Sequence, residues 1–440
     1  MTNSPPPSDP TPPPRHGSWS ALAFPQYRLL WLATIAAVLT QELRLVVTGV
    51  WLYDITGSAA QLGLLGLIQL VVQIPAVLFG GTLADRLDRR LMTAWTQAVT
   101  LAFMALMAGL VAADALLPWH VYVVTAALSV TSVFGAPARS ALIGATVPAE
   151  HMVDAVTTNW ITQQVAIVAA PLGFAAIAGS MGLVPVFVLA AVFAVPSVVL
   201  PLMMRVDASA PVTEGETGSV LQRTWEGLRY VRTHPLLPAL YFMDTGVTVV
   251  SFYRQMYPVL AHQLFGGGAG VVGLLTAANS AGAIGGSFAV LGLRRFKRTG
   301  LIVLIAHFVY ALLLFPFALV PYLWVGLICI AGLGAMDAMS VTVRQATVQL
   351  STPDAMRGRA LSVMLFSAQT ANNVGTLWVG MLSALIGASG TMVVGGTASL
   401  LFVAGVWQRA RAVRDYRAPL RAAGRADLER PSSAPYGIQR

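Results

Sequence analysis

Five ionisable side chains stand inside stretches that are otherwise apolar. Glu42 and Arg44 lie in "TQELRL", Asp337 lies in "AMDAMS", and Asp244 and Arg254 sit ten residues apart in a third stretch. A charge at the centre of a bilayer costs on the order of 3 kcal/mol on insertion scales, so each is a functional candidate by default. A carboxyl in an apolar wall is costly to keep charged, and it can take up and release a proton near neutral pH. Glu42, Asp244 and Asp337 are therefore the candidate proton-coupling groups. Glu42 and Arg44 are about 200° apart around a helix, so they face opposite sides and cannot pair directly. Asp337 precedes Arg344 by seven residues, some 10 Å along a helix at about 1.5 Å per residue. The plain structural alternative is a static ion pair between helices, Glu42 with Arg254 or Asp244 with Arg44.

Neutral polar groups form a second set. Asn159 and Gln163, Gln369 and Asn373, and Gln69 and Gln73 each sit one helical turn apart on one face. Amides can bind a polar substrate without fixed charge; otherwise they bond helix to helix, worth roughly 0.6 kcal/mol per bond. Tyr241, Tyr253 and Tyr257 could offer aromatic walls to an amphipathic substrate, beside the charged candidates Arg44 and Arg254. Aromatics at the ends of apolar stretches, such as Trp51, Trp119 and Tyr322, read as interfacial anchors.

No enzyme signature accompanies these groups. The six histidines are scattered, and none has His-x-x-x-His spacing. "FGGGAGVVG" lacks the Gly-Lys-Ser/Thr of a phosphate loop, which disfavours an ATP-driven pump. The single cysteine, Cys329, leaves no internal disulfide and no protein-only thiolate metal site. No cofactor or metal is expected.

The elements that must position these residues are membrane helices. The 440 residues are 56% apolar and only 10% charged, against about 25% charged in soluble domains. Spanning takes roughly 20 apolar residues, and twelve such spans are legible: 29–52, 61–81, 92–113, 119–140, 155–179, 183–203, 236–260, 271–292, 299–319, 322–344, 361–386 and 391–409. The net charge of +9 is almost all arginine, Lys297 being the only lysine. Apart from Arg44 and Arg254, these charges fall in the tails, near span ends and in alternate loops, a topology signal and not a nucleic-acid stripe. Loops at 54–60, 114–118, 180–182, 261–270, 320–321 and 387–390 contain no Lys or Arg. Both termini are thus expected in the cytoplasm of a bacterium, with the chain in its plasma (inner) membrane. Residues 1–25 are Pro/Ser-rich and expected to be a disordered tail without a cleaved signal.

The chain also repeats. Laid against itself without a gap, Gly80-Gly81 falls on Gly285-Gly286, Arg89-Arg90 on Arg294-Arg295, Arg139 on Arg344, Pro148 on Pro353 and Ala155 on Ala360. Six spans separate the copies, so both run in the same membrane direction. The expected division is a bundle at 26–204, a cytoplasmic linker at 205–235, a bundle at 236–410 and a tail at 411–440.

Twelve spans, two parallel halves and "GGTLADRLDRR" between spans 2 and 3 resemble the major facilitator superfamily. Gly81, Asp85, Arg86, Arg89 and Arg90 match its loop signature, with Asp88 where glycine is usual. That departure is similar to the branch of bacterial siderophore and drug exporters, as are "YDITGSAAQLGLLG" and "PARSALIGATVPAEHMVDAVTTN". The antiporter signature of span 5 keeps Pro171 and Gly173, with Ala170 and Phe174 where glycines are expected.

The resemblance implies an all-α membrane protein of two six-helix bundles, and spans 1 and 7 lining the cavity. It also implies a conformational latch in which Asp85 meets the start of span 11, beside Arg139 and its repeat mate Arg344. Only one copy of the latch acid exists, because Val290 stands where the repeat would put it. The expected function is secondary-active export of an amphipathic small molecule, a siderophore or drug, by proton antiport. The expected protein is a monomer in the lipid bilayer with no nucleic-acid partner. Rivals are metabolite uptake, export of a metal or inorganic ion, and a non-transporting sensor or assembly partner.

Overall fold

A computed structural model of the chain describes residues 19–84, 88–206, 220–293, 296 and 298–416. Asp85 and Arg86 of the expected latch lie outside the described residues, as do Arg294, Arg295, Lys297, linker residues 207–219 and most of both tails.

Six helices come first: α1 (Pro25–Thr56), α2 (Ala59–Ala84), α3 (Arg89–Ala112), α4 (Pro118–Thr146), α5 (Met152–Met181) and α6 (Val184–Met203). Then follow α7 (Val220–Thr233), α8 (Leu237–Ser251), α9 (Tyr257–Gln263), α10 (Ala269–Gly292), α11 (Thr299–Leu319), α12 (Leu323–Ser351) and α13 (Asp354–Arg409). Local chemistry sets many ends. Pro25 and Pro118 open α1 and α4, where their missing N–H costs nothing. Gly57 closes α1 at φ 60°, a left-handed cap that glycine takes without strain. Asp88 caps α3, accepting from the Arg90 and Leu91 amides at 2.8 and 3.3 Å. The acid that replaces the usual glycine of the loop signature therefore starts a helix.

Ten described helices are long and apolar enough to cross a membrane, or up to eleven if one bent pair counts as a span. α13, which merges two expected spans, and the broken span 7 are the reasons the number falls short of twelve. The 56 residues of α13 would reach about 84 Å at 1.5 Å per residue, far beyond a hydrocarbon core of about 30 Å. It breaks at Gly387, φ 76° and ψ 163°, between the expected spans 11 and 12. Expected span 7 is not one helix but α8, a 3₁₀ turn at Arg254–Met256, and α9.

Within the first six helices, α1 packs on α4, α5 and α6, α3 lies against α4 and α6, and α2 against α4. Later in the chain α8 packs on α13, α10 and α11 on α12, and α11 on α13. The groups meet through α2 against α13 and α5 against α10, with α1 touching α9 and α10. One hydrogen bond recurs in both: Tyr27 donates to the Ala155 carbonyl at 2.7 Å, and Tyr241 to the Ala360 carbonyl at 3.0 Å. Ala155 and Ala360 are repeat mates, so the internal repeat holds at the level of a single acceptor. A shared buried apolar cluster crosses the seam, including Val47 and Leu52 of α1, Leu260 of α9 and Leu275 of α10. At Gly63 of α2 and Gly380 of α13 backbones touch: a Cβ on Gly380 would lie 2.5 Å from the Gly63 Cα.

Candidate functional site

The break in span 7 places a charge at the seam. Between α8 and α9 the turn presents Arg254, whose Nη2 lies 3.5 Å from Asp337 Oδ2 on α12, both side chains close to half exposed. Glu42 on α1 is partly exposed, and its charged neighbours are Arg254 first and Arg44 second. Arg254 thus pairs with a carboxylate of its own bundle and lies within electrostatic reach of one on the other. Arg44 is also partly exposed.

Asp244 has a different setting. It is buried in α8 and forms an ion pair with the buried Arg344 of α12. The nearby His307 of α11 places Nε2 3.9 Å from Asp244 Oδ1. Two expectations change here. Asp244 pairs with Arg344 and not with Arg44. Arg344, grouped with the latch because it matches Arg139, is committed inside its own bundle. The sequence reason is that Leu39 and Ala102 stand at the repeat positions of Asp244 and His307, so the first bundle has no matching acid for Arg139. His307 was missed because a lone histidine in an apolar span carries no spacing signal.

The amides divide. Asn373 donates to Gln73 at 3.0 Å, joining α13 to α2 across the seam. Gln69, Asn159 and Gln163 are partly exposed and Gln369 is exposed. The three tyrosines are buried in packing and form no open wall: Tyr241 bonds Ala360, Tyr253 accepts from Asn279 at 2.6 Å, and Tyr257 lies beside Tyr253.

At the Gly57 end, polar contacts that the sequence did not announce join the bundles. His262 meets Asp54 at 2.9 Å, and Gln263 donates to Tyr53 at 3.2 Å. At the Arg89 end, Arg90 donates to the Met204 carbonyl at 2.6 Å, satisfying an unpaired carbonyl at the close of α6. Arg89 and Arg139 are half-buried there, and Gly81 lies in α2. α7 packs on both α2 and α13, pairing Glu226 with Arg359 at 2.5 Å. His234 caps the next helix. Its Nδ1 accepts from the Leu236 and Leu237 amides at 3.1 and 3.3 Å, and its Nε2 faces the Ser351 carbonyl at 3.3 Å. Burial holds its pKa below the ordinary histidine value, with the Ser351 carbonyl pulling the other way.

Residues 16–428 match a major facilitator profile described as transmembrane secretion effector. The enterobactin exporter EntS of Citrobacter koseri is 26% identical over 373 residues, covering 82% of this chain and 86% of that protein. EntS of Escherichia coli O81 is 26% identical over 370 residues, with the same shares covered. Among solved structures, the nucleoside transporter NupG aligns at a TM-score of 0.68 with 12% identity, covering 89% of this chain and 100% of that one. A bacterial homologue of the human lysosomal transporter Spinster, inward-facing and unoccupied, aligns at 0.66 with 16% identity, covering 90% and 99%.

Proposed function

The chain belongs to the transmembrane secretion effector family of the major facilitator superfamily, and from that premise we propose that it exports an amphipathic small molecule by proton antiport. Membership makes it a secondary transporter, a multi-pass inner-membrane protein that moves a small-molecule solute, and not an enzyme. Carriers of this family need no cofactor; the proton gradient is the proposed energy source.

The observation that carries the reading is the Arg254–Asp337 ion pair at the seam, within electrostatic reach of Glu42. With Asp337 charged, Arg254 stays with its own bundle. A proton on Asp337 cancels that attraction and leaves Glu42, on the other bundle, as the remaining partner. Proton uptake then changes which bundle holds the guanidinium, and a rocking motion about the seam follows. Asp244, held by Arg344, remains a carboxylate in this cycle.

The basic-free loops put the Gly57 end outside and both termini inside. The Asp54–His262 and Tyr53–Gln263 contacts then form a closed outer gate, and the solute enters from the cytoplasm. Partly exposed Glu42, Arg44, Gln69, Asn159 and Gln163, with exposed Gln369, are its proposed contacts. A siderophore is the favoured solute class because the curated relatives are named as enterobactin exporters. The proposed division is two bundles at 26–204 and 236–410 joined by a cytoplasmic linker, acting as a monomer, with Asp85 and Arg139 as the inner latch. Solute flux into vesicles carrying the purified protein, driven by a pH gradient, tests the reading.

A further inference from the structure

We propose that His307 is a second proton-holding site, fed from Asp337 through a water-sized cavity and balanced by the buried Asp244–Arg344 pair. The inference rests on the proton-coupled reading above and names a residue that the reading does not use.

A cavity of about 20 Å³ lies between the two acids, with Asp244, Thr248, His307, Tyr310, Asp337 and Ser340 in its wall. One ordered water needs about 10–15 Å³ and two to four polar partners, so the space suits a water. Asp337 is close to half exposed, whereas Asp244, His307 and Arg344 are 8%, 6% and 2% exposed. The cavity therefore connects an accessible acid to an enclosed histidine.

The ring's hydrogen bonds say where a proton would go. His307 Nδ1 lies 2.9 Å from the Val303 carbonyl, which can only accept, so Nδ1 carries its hydrogen there. The neutral ring then points the bare Nε2 lone pair at Asp244 Oδ1, 3.9 Å away. Two acceptors facing one another in an apolar setting are unfavourable. One proton on Nε2 converts that repulsion into an ion pair.

The surroundings can hold the added charge. Asp244 is the acid on α8 that faces the ring, while α12 contributes Arg344, Ser340 and, across the cavity, Asp337. On α8, Tyr241 spends its hydroxyl on the Ala360 carbonyl, and on α11 Tyr310 donates to the Ser251 carbonyl. α13 also packs on α11 and carries no ionisable side chain between Arg359 and Arg409. The transfer balances simply. Protonated Asp337 gives its proton to the cavity water, which passes one of its own to Nε2. Asp337 returns to a carboxylate and resumes its pair with Arg254, while His307 becomes an imidazolium beside Asp244.

The test is nitrogen-15 NMR of histidine-labelled full-length protein in lipid nanodiscs, with the His307 signals identified by their loss in His307→Gln. Spectra are recorded at about pH 5 and about pH 9. The expected result is an imidazolium at the lower pH and the Nδ1–H neutral form at the higher. Thr248→Ile fills the cavity and should slow exchange of the Nε2 proton with water about tenfold; Thr248→Val, which puts a methyl where the cavity water has a hydroxyl partner, serves if the larger side chain prevents folding. A ring neutral at both pH values, or exchange unchanged in the folded Thr248 variant, overturns the proposal. No solute is needed, so failure to find a transported compound and failure of the His307 site give different results.

Discussion

Arg254 and Asp337 face each other at 3.5 Å, joined at the point where the seventh membrane crossing is broken. Had Tyr253 to Met256 stayed α-helical, their carbonyls and amides would close a regular ladder. Here a 3₁₀ turn intervenes and the guanidinium reaches the seam, where Glu42 is its neighbour from the other bundle. Broken helices at the bilayer midplane are how many carriers place a charge at the binding site.

The buried Asp244–Arg344 pair should behave as structure. Asp244→Asn leaves Arg344 unpaired and should cost about 3–5 kcal/mol, read as a lowered midpoint in thermal unfolding of the purified protein. Replacing both together, Asp244→Leu with Arg344→Met, should recover most of that loss. A single variant as stable as the parent would remove the pair from the stability account.

At the Gly57 end α2 and α13 approach through backbone contact. A Cβ at Gly380 would lie 2.5 Å from the Gly63 Cα, so Gly380→Val should push α2 and α13 apart at that end. Spin labels at Ser58 and Gly266 should report a longer mean distance than in the parent. An unchanged distance would mean that closure does not need this approach.

At the Arg89 end the two repeat positions should differ. Asp85→Asn should cripple the transport cycle with membrane insertion retained, and Val290→Ala should do little, both read as solute flux at matched protein levels. Equal, mild effects would reduce the loop to a topology signal.

His234 gives a pH dependence with a definite sign. Its folded-state pKa is lowered, so the unfolded chain binds more protons in acid, and folding there weakens. The contribution is fully present above about pH 6.5 and is lost as pH falls through that value toward the folded one. Amide protection at Leu236 and Leu237, corrected for intrinsic exchange, should decline across this window. His234→Ala should remove the pH dependence and leave those amides weakly protected throughout.

Most of the architecture was legible because membrane helices announce themselves by length and apolarity, and arginine marks the loops between them. At Gly387 the sequence separates two crossings where the backbone runs on as one broken helix. The site was less legible. Arg344 looked like a latch by analogy with Arg139, yet one acid in α8 changes its role, and a repeat in one residue does not repeat its partners. Gln73 and Asn373 were each visible as candidates, but nothing in helical spacing says that they meet across a seam. His262 and Asp54 sit at loop edges, where only the packing of two bundles brings them together.

The central claim is that proton uptake at the Glu42–Arg254–Asp337 cluster drives solute outward. Everted membrane vesicles expose the cytoplasmic face, so an acid lumen should drive labelled enterobactin, or the solute that replaces it, inward, with protons leaving in exchange. A protonophore should collapse the accumulation, and Glu42→Gln should abolish the pH-driven component while the protein still folds and inserts. Accumulation that persists at the same rate without a pH gradient, or in Glu42→Gln, would contradict the account.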